Sequence, residues 1–237
     1  MKWSEFFTSS VGKKLVMALT GLFLISFLVV HVGLNACIWA NDSGEMFNKA
    51  AHFMGDTVVI RIMEIGLFVG FLIHIIQGYV LEAKNLARRG KGYKINLANR
   101  GSKWYSRTMG LLGTLLLLFL IMHINHFWIH SRLGNLASIQ PLGDVVYSSN
   151  PNKPYHNLYA LMITTFSGNA PVVVLYVVGC ISLAYHLMHG FQSAFRTLGV
   201  HNKKYIGLIK AAGAAFSILV PLAFAMMPIS IYMGWVE

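Results

Sequence analysis

The chain has 237 residues, 56% of them hydrophobic and only 11% charged, a balance too apolar for an ordinary soluble domain. Its formal net charge of +11 could suggest a nucleic-acid binder, but the placement of that charge, set out below, makes nucleic-acid binding unnecessary. Two cysteines, Cys37 and Cys180, lie in different apolar runs and read as small buried hydrophobes, not as a disulfide or metal pair.

The N-terminal MKWSEFFTSSVGKK leads into an apolar run over about 14–38, one of five long enough to cross a bilayer, since a span needs about 20 helical residues. This run is too long for a secretory signal and lacks a small-residue cleavage site, and LNAC at 34–37 is a poor lipoprotein box, so it is expected to stay as a membrane helix. A short connection, NDSGEMFNKAAHFMGD at 41–56, leads to the second run, 58–82, where Arg61 and Glu64 are spaced to pair near the interface. A strongly basic stretch precedes the third run, 108–130. The connection after it, 131–169, is long, with turn signals in SSNPNKP and a possible surface helix in YHNLYALMITTF at 155–166. The fourth run covers 170–192 and the fifth 206–233, the latter expected to bend at Pro221 and Pro228. The expected fold is all-α: a single polytopic membrane domain over 1–237 with five transmembrane helices.

The basic residues orient this bundle. With the N-terminus inside, only Lys49, Arg61, Arg132 and Lys153 of the 19 Lys and Arg fall on the outer side. The inner segments hold Lys84, Arg88, Arg89, Lys91, Lys94, Arg100, Lys103 and Arg107 in one stretch, where anionic lipid or a soluble partner can dock.

Histidine is the ionisable type left inside the helices: His31 on the first, His74 on the second, His123, His126 and His130 on the third, His186 and His189 on the fourth. A single such residue is ordinarily a hydrogen-bonded packing residue, but its occurrence on four helices points to function. At about 1.5 Å per residue, His31 and His123 both lie about 24–25 Å from the inner charged edge, and His74 and His186 both about 15 Å from it. Two His pairs at two levels suit two six-coordinate haems. Gly66, Gly70 and Gly78 repeat every four residues around His74, and Ser182 and Gly190 flank His186 in the same way, as a flat cofactor slot requires. The same small residues also serve close helix packing.

These motifs resemble the cytochrome b membrane-anchor subunit of succinate dehydrogenase and fumarate reductase, in its single-chain, five-helix, two-haem form. The resemblance runs nearly end to end: GKKLVMALTGLFLISFLVVH, FNKAAHFM, LIHIIQGY, RTMGLLGTLLLLFLIMH and YHLMHGFQSAFRTLG follow in order on the expected helices. It implies that His31 and His123 are axial ligands of the outer haem iron, and His74 and His186 of the inner one. His126 competes with His123; the family's spacing from a glycine to the ligand, met by Gly113, favours His123. His189 is expected to bond a propionate or a neighbouring helix, His126 and His130 to lie toward the outer interface, and His52 to contact quinone or a propionate. The Glu that some relatives carry two residues before the fourth ligand is Ala184 here, which puts that proton route in doubt.

The resemblance further implies two haem b cofactors, menaquinone or ubiquinone as substrate, and a flavoprotein and an iron–sulfur protein as partners on the cytoplasmic face of a bacterial inner membrane. The chain itself has no dinucleotide fingerprint, cysteine cluster or dicarboxylate pocket, so succinate chemistry belongs to those partners. The competing readings are the dihaem quinol cytochrome of a hydrogenase or formate dehydrogenase, a His-based cation transporter and a passive anchor. The transporter would want carboxylates along a path, and the helix cores lack them.

Overall fold

A computed structural model describes residues 9–89, 104–134, 139–200, 202 and 204–236. Lys2, Lys91, Lys94, Arg100, Lys103 and Lys203, assigned above to the inner side, lie outside the described residues, as do the side chains of Arg88 and Arg89.

Helix α1 (Ser10–Asn35) is capped by Ser9, whose hydroxyl accepts from the Gly12 N–H at 3.0 Å. It tightens into a 3-10 turn, Ala36–Ala40, and stops where Asn41, Ser43 and Gly44 take left-handed backbone conformations. Helix α2 (Glu45–Asp56) occupies most of what the sequence reads as a plain connection, with Asp42 Oδ2 accepting from Met46 N at its start. One extended residue, Thr57, separates it from α3 (Val58–Arg89), which runs one to two turns beyond the expected span into LEAKNLARR. A helical turn, α4 (Trp104–Arg107), precedes α5 (Met109–His123). The third span then widens into a π-helical stretch, Ile124–Trp128, marked by the Ile129 N–H reaching Ile124 O, and ends as α6 (Ile129–Leu133).

The long connection holds an antiparallel hairpin, β1 (Asp144–Tyr147) and β2 (Asn150–His156), and then α7 (Leu158–Phe166), capped by Asn157. Two spans follow, α8 (Ala170–Thr197) and α9 (Ile206–Tyr232). Pro171 falls in the first turn of α8, where a missing N–H costs nothing, but Pro221 and Pro228 lie inside α9 and remove interior donors.

Among the described residues, five helices are long and apolar enough to span a bilayer. Only 6% of the most apolar window of each of the first three spans is buried, so residues such as Leu72, Ile76 and Leu118 offer their side chains to lipid. The chain is an all-α multi-pass membrane protein, with one short hairpin that the periodicity did not announce.

It divides into two compact units, each built from parts of all five spans. The first comprises 1–27, 65–115 and 182–219. Small residues bring its helices together. A Cβ on Gly70 of α3 would stand 2.9 Å from the Phe23 ring of α1, and one on Gly213 of α9 would stand 2.6 Å from the Phe191 ring of α8. The buried Ser182 donates to Leu112 O at 3.1 Å, tying α8 to α5, and Tyr79 and Thr114 hydrogen-bond at 2.9 Å, tying α3 to α5.

The second unit comprises 28–64, 116–181 and 220–237. Its core joins Ile38, Phe47, Tyr159, Met162, Phe166, Val173, Tyr176, Met227 and Ile231. The helix expected within 155–166 is α7, which buries Tyr159, Met162 and Phe166 in this core and leaves Ala160 and Thr164 exposed. Asn48, fully enclosed, fastens α2 to this cap. It donates to Tyr147 Oη at 2.7 Å and Asn157 Oδ1 at 3.0 Å, and accepts from Tyr159 N at 2.9 Å. On the same helix, Lys49 bonds Glu45 at 2.6 Å; with Ser149 it holds the Glu45 carboxyl below its usual range.

Candidate functional site

Each unit contains one of the histidine pairs expected from sequence. In the first, His74 of α3 and His186 of α8 face each other with ring centroids 6.2 Å apart and planes at 63°. In the second, His31 of α1 and His123, the last residue of α5, stand 5.8 Å apart at 89°. A metal bound by an imidazole nitrogen on each side, at about 2.0–2.1 Å, sets ring centroids roughly 6 Å apart. The same separation also fits direct edge-to-face contact between rings.

Hydrogen bonding distinguishes the rings. His74 Nδ1 lies 3.1 Å from the Thr20 hydroxyl, and His31 Nδ1 lies 3.3 Å from Asn35 Nδ2, which also donates to His31 O at 2.8 Å. The Nδ1 atoms of His123 and His186 are buried without a hydrogen-bond partner. Each pair thus joins one ring held by a polar side chain from α1 to one ring whose buried Nδ1 has none. Buried polar nitrogens left unbonded are costly, which marks His123 and His186 as positions that packing alone does not favour.

The donor set fits iron in a macrocycle better than a bare ion. Among the described residues no three His, Cys, Asp or Glu converge as a metal-ion site. Haem brings four equatorial nitrogens and asks the protein for axial ligands alone, and two neutral imidazoles from separate helices meet that need. His31 with His123, and His74 with His186, are the residues that could hold it.

Around His123 the ring contacts are aromatic. Phe119 stacks on it with centroids 5.7 Å apart, and Phe127 and Tyr176 approach it at 5.4 and 6.0 Å. Phe119 reaches this position because Gly179 of α8 has no side chain; a Cβ there would stand 2.5 Å from the Phe119 ring. His31 meets Phe224 of α9 at 5.4 Å.

The remaining candidates separate. His126 falls within the π-helical stretch, whose wider turn carries it out of line with His123; it stacks nearly parallel on Tyr176 and its Nδ1 bonds Tyr176 Oη at 3.0 Å. His130 Nδ1 lies 3.2 Å from Gln140 O. His189 lies one turn beyond His186 on α8 and is half-buried. His52, on α2, is paired with Asp56 at 2.7 Å and meets Tyr155 edge-on at 5.0 Å. The small residues also differ from one another. Gly70 accommodates Phe23, Gly78 lies beside Met17, and Ser182 spends its hydroxyl on helix packing, whereas Gly66 and Gly190 open onto space with no atom within 4 Å of a Cβ. Gly113, whose spacing to His123 matches the resemblance, lies instead against His186, with 3.8 Å from a Cβ to that ring's Cε1.

Sequence reasoning missed Thr20, Asn35, Tyr176 and Gly179, all of which shape the pairs. Only Gly179 left a signal, a small residue seven positions before His186 on the same helix. A polar group it did single out, Glu64, gathers more than Arg61 (3.2 Å): Trp128 Nε1 and Arg132 Nε also donate to it, at 2.5 and 3.2 Å.

The fold and these sites define a multi-pass α-helical membrane protein with two intramembrane histidine pairs. No family model, curated protein or solved structure matches the chain.

Proposed function

We propose that this chain is the dihaem cytochrome b that anchors a succinate:quinone oxidoreductase, a succinate dehydrogenase or fumarate reductase, in the bacterial cytoplasmic membrane. The observation that carries the reading is the pairing of four imidazoles two by two, each pair drawn from two different helices, at 5.8 and 6.2 Å. Bound haem would supply reversible one-electron transfer between an iron–sulfur partner and quinone. The chain's own residues do the rest. His31 with His123, and His74 with His186, would hold the haems; Phe119, Phe127 and Tyr176 keep water from His123. Thr20 and Asn35 orient the rings they touch.

The flavoprotein and iron–sulfur subunits dock on the basic side, which is cytoplasmic together with the N-terminus. Menaquinone or ubiquinone reacts near the other face, where His52, whose Nε2 lies 2.7 Å from Asp56 Oδ2 without a hydrogen bond, is the candidate to contact the quinone. A dithionite-reduced minus oxidised visible spectrum, with haem counted per chain, tests the proposal. Two b-type haems are expected, with a flavoprotein co-purifying. No haem in protein expressed with ample haem supply overturns the reading, and co-purification of a hydrogenase or formate dehydrogenase instead of the flavoprotein reassigns the complex.

A further inference from the structure

We propose that Thr20 is a positioning residue that fixes the tautomer of His74. The proposal rests on the haem reading above and adds a residue to it. Thr20 lies in α1, a helix that supplies neither member of the His74–His186 pair, and its Oγ1 is 3.1 Å from His74 Nδ1. A hydroxyl has one proton to give. Thr20 Oγ1 also lies 2.8 Å from Val16 O and 3.2 Å from Met17 O, the backbone acceptors one turn back, and these atoms can only accept. Its proton is therefore committed to its own helix, and toward His74 the oxygen acts as acceptor. Nδ1 of His74 then carries the ring hydrogen and Nε2 is bare, the form an imidazole needs to bind iron.

The neighbouring residue completes the seat. Gly21 follows Thr20, and a Cβ there would stand 3.5 Å from His74 Cε1, the ring carbon between the two nitrogens. One step of α1 thus holds the ring by a hydrogen bond at Thr20 and leaves room for it at Gly21. The other rings lack this arrangement: His186 Nδ1 has no partner, and at His31 the nearby side-chain group is an amide nitrogen that also donates to His31 O. The effect of Thr20 is accordingly confined to the haem held by His74 and His186.

A hydrogen bond from Nδ1–H to an acceptor makes the imidazole more basic and favours ferric iron. Removing it raises the potential of that haem alone. Redox titration of the haem-loaded full chain, followed in the visible spectrum, compares wild type with Thr20→Val, Thr20→Ala and Thr20→Ser. In Val and Ala the reduced-to-oxidised ratio of one haem at fixed potential rises about tenfold, equivalent to about 59 mV, while the other haem is unchanged and Ser restores the wild-type value. Loss of that one haem in Val and Ala, with retention in Ser, supports the proposal equally. Identical midpoints in all four proteins, a shift of both haems together, or a Ser variant that behaves like Val overturns it. A wild-type chain that takes up no haem overturns the haem reading and this proposal with it, and so is distinct from the outcomes in which haem is bound and Thr20 is silent.

Discussion

His123 and His126 differ in what surrounds them more than in where they fall in the sequence. His123 ends the regular helix and faces His31, whereas His126, in the wider π turn, has its Nδ1 and its ring face engaged by Tyr176. On the proposed dihaem reading, replacing His123 by Ala should lower the haem content of the purified protein from two per chain to one, while His126→Phe, which keeps a flat ring against Tyr176, should leave it at two; a pyridine haemochrome count reads both. The ligand candidates were legible because an imidazole in an apolar run costs free energy and stands out for that reason. Their supporting residues were not. Threonine and tyrosine are ordinary in membrane helices, so nothing in the pattern distinguishes Thr20 from Thr114, or Tyr176 from Tyr185, until the helices meet. Glycine gave a partial signal: Gly70 and Gly179 both admit a phenyl ring from a neighbouring helix, so a stripe of small residues around a histidine indicates proximity of helices before it indicates a slot.

The elements outside the spans form a cap that depends on one amide. Asn48 serves the hairpin through Tyr147, the start of α7 through Tyr159 N, and its cap residue through Asn157. Asn48→Leu fills similar volume but takes the partner from Tyr147 Oη and Tyr159 N, at about 1–3 kcal/mol for each that water cannot reach, while Asn157 Oδ1 keeps the Ala160 N–H. Thermal unfolding in detergent should show a clear fall in midpoint, and a variant as stable as the wild type would show that water enters the cap. This region was the least legible. Helix α2 is written EMFNKAAHFMGD after NDSG, which holds three left-handed residues, and the whole reads as a connection because these turn formers dominate the pattern. The hairpin was hidden by Pro151 and Pro154, which argue against a central strand but are tolerated in a two-stranded ribbon, where each strand has a free edge. The span ends shifted for a similar reason. Charged residues mark the limit of the apolar run, yet α3 carries on through them as an ordinary helix to Arg89.

At the scale of the molecule, five runs of sufficient length were enough to give the number and order of the spans, because in hydrocarbon the backbone must satisfy itself within each helix. Orientation rests on charge alone and is open to a direct measurement. In a chain freed of Cys37 and Cys180, a membrane-impermeant thiol reagent should label Lys153→Cys in intact cells and Lys204→Cys only after lysis; the reverse pattern would invert the protein in the membrane. The third span adds a constraint of another kind. Because Ile124–Trp128 takes a wider turn than the helix on either side, the angular phase of everything after it depends on that stretch. Deleting one residue there would restore α-helix and leave the bearing of the following segment nearly unchanged, whereas rewinding the stretch as regular α-helix with every residue kept would turn that segment by about 100°. Trp128 and Arg132 would swing away from Glu64, while His123, upstream of the change, would keep its bearing on His31. The π turn thus acts as a phase joint, through which the end of the helix beyond it can be re-aimed without disturbing His123.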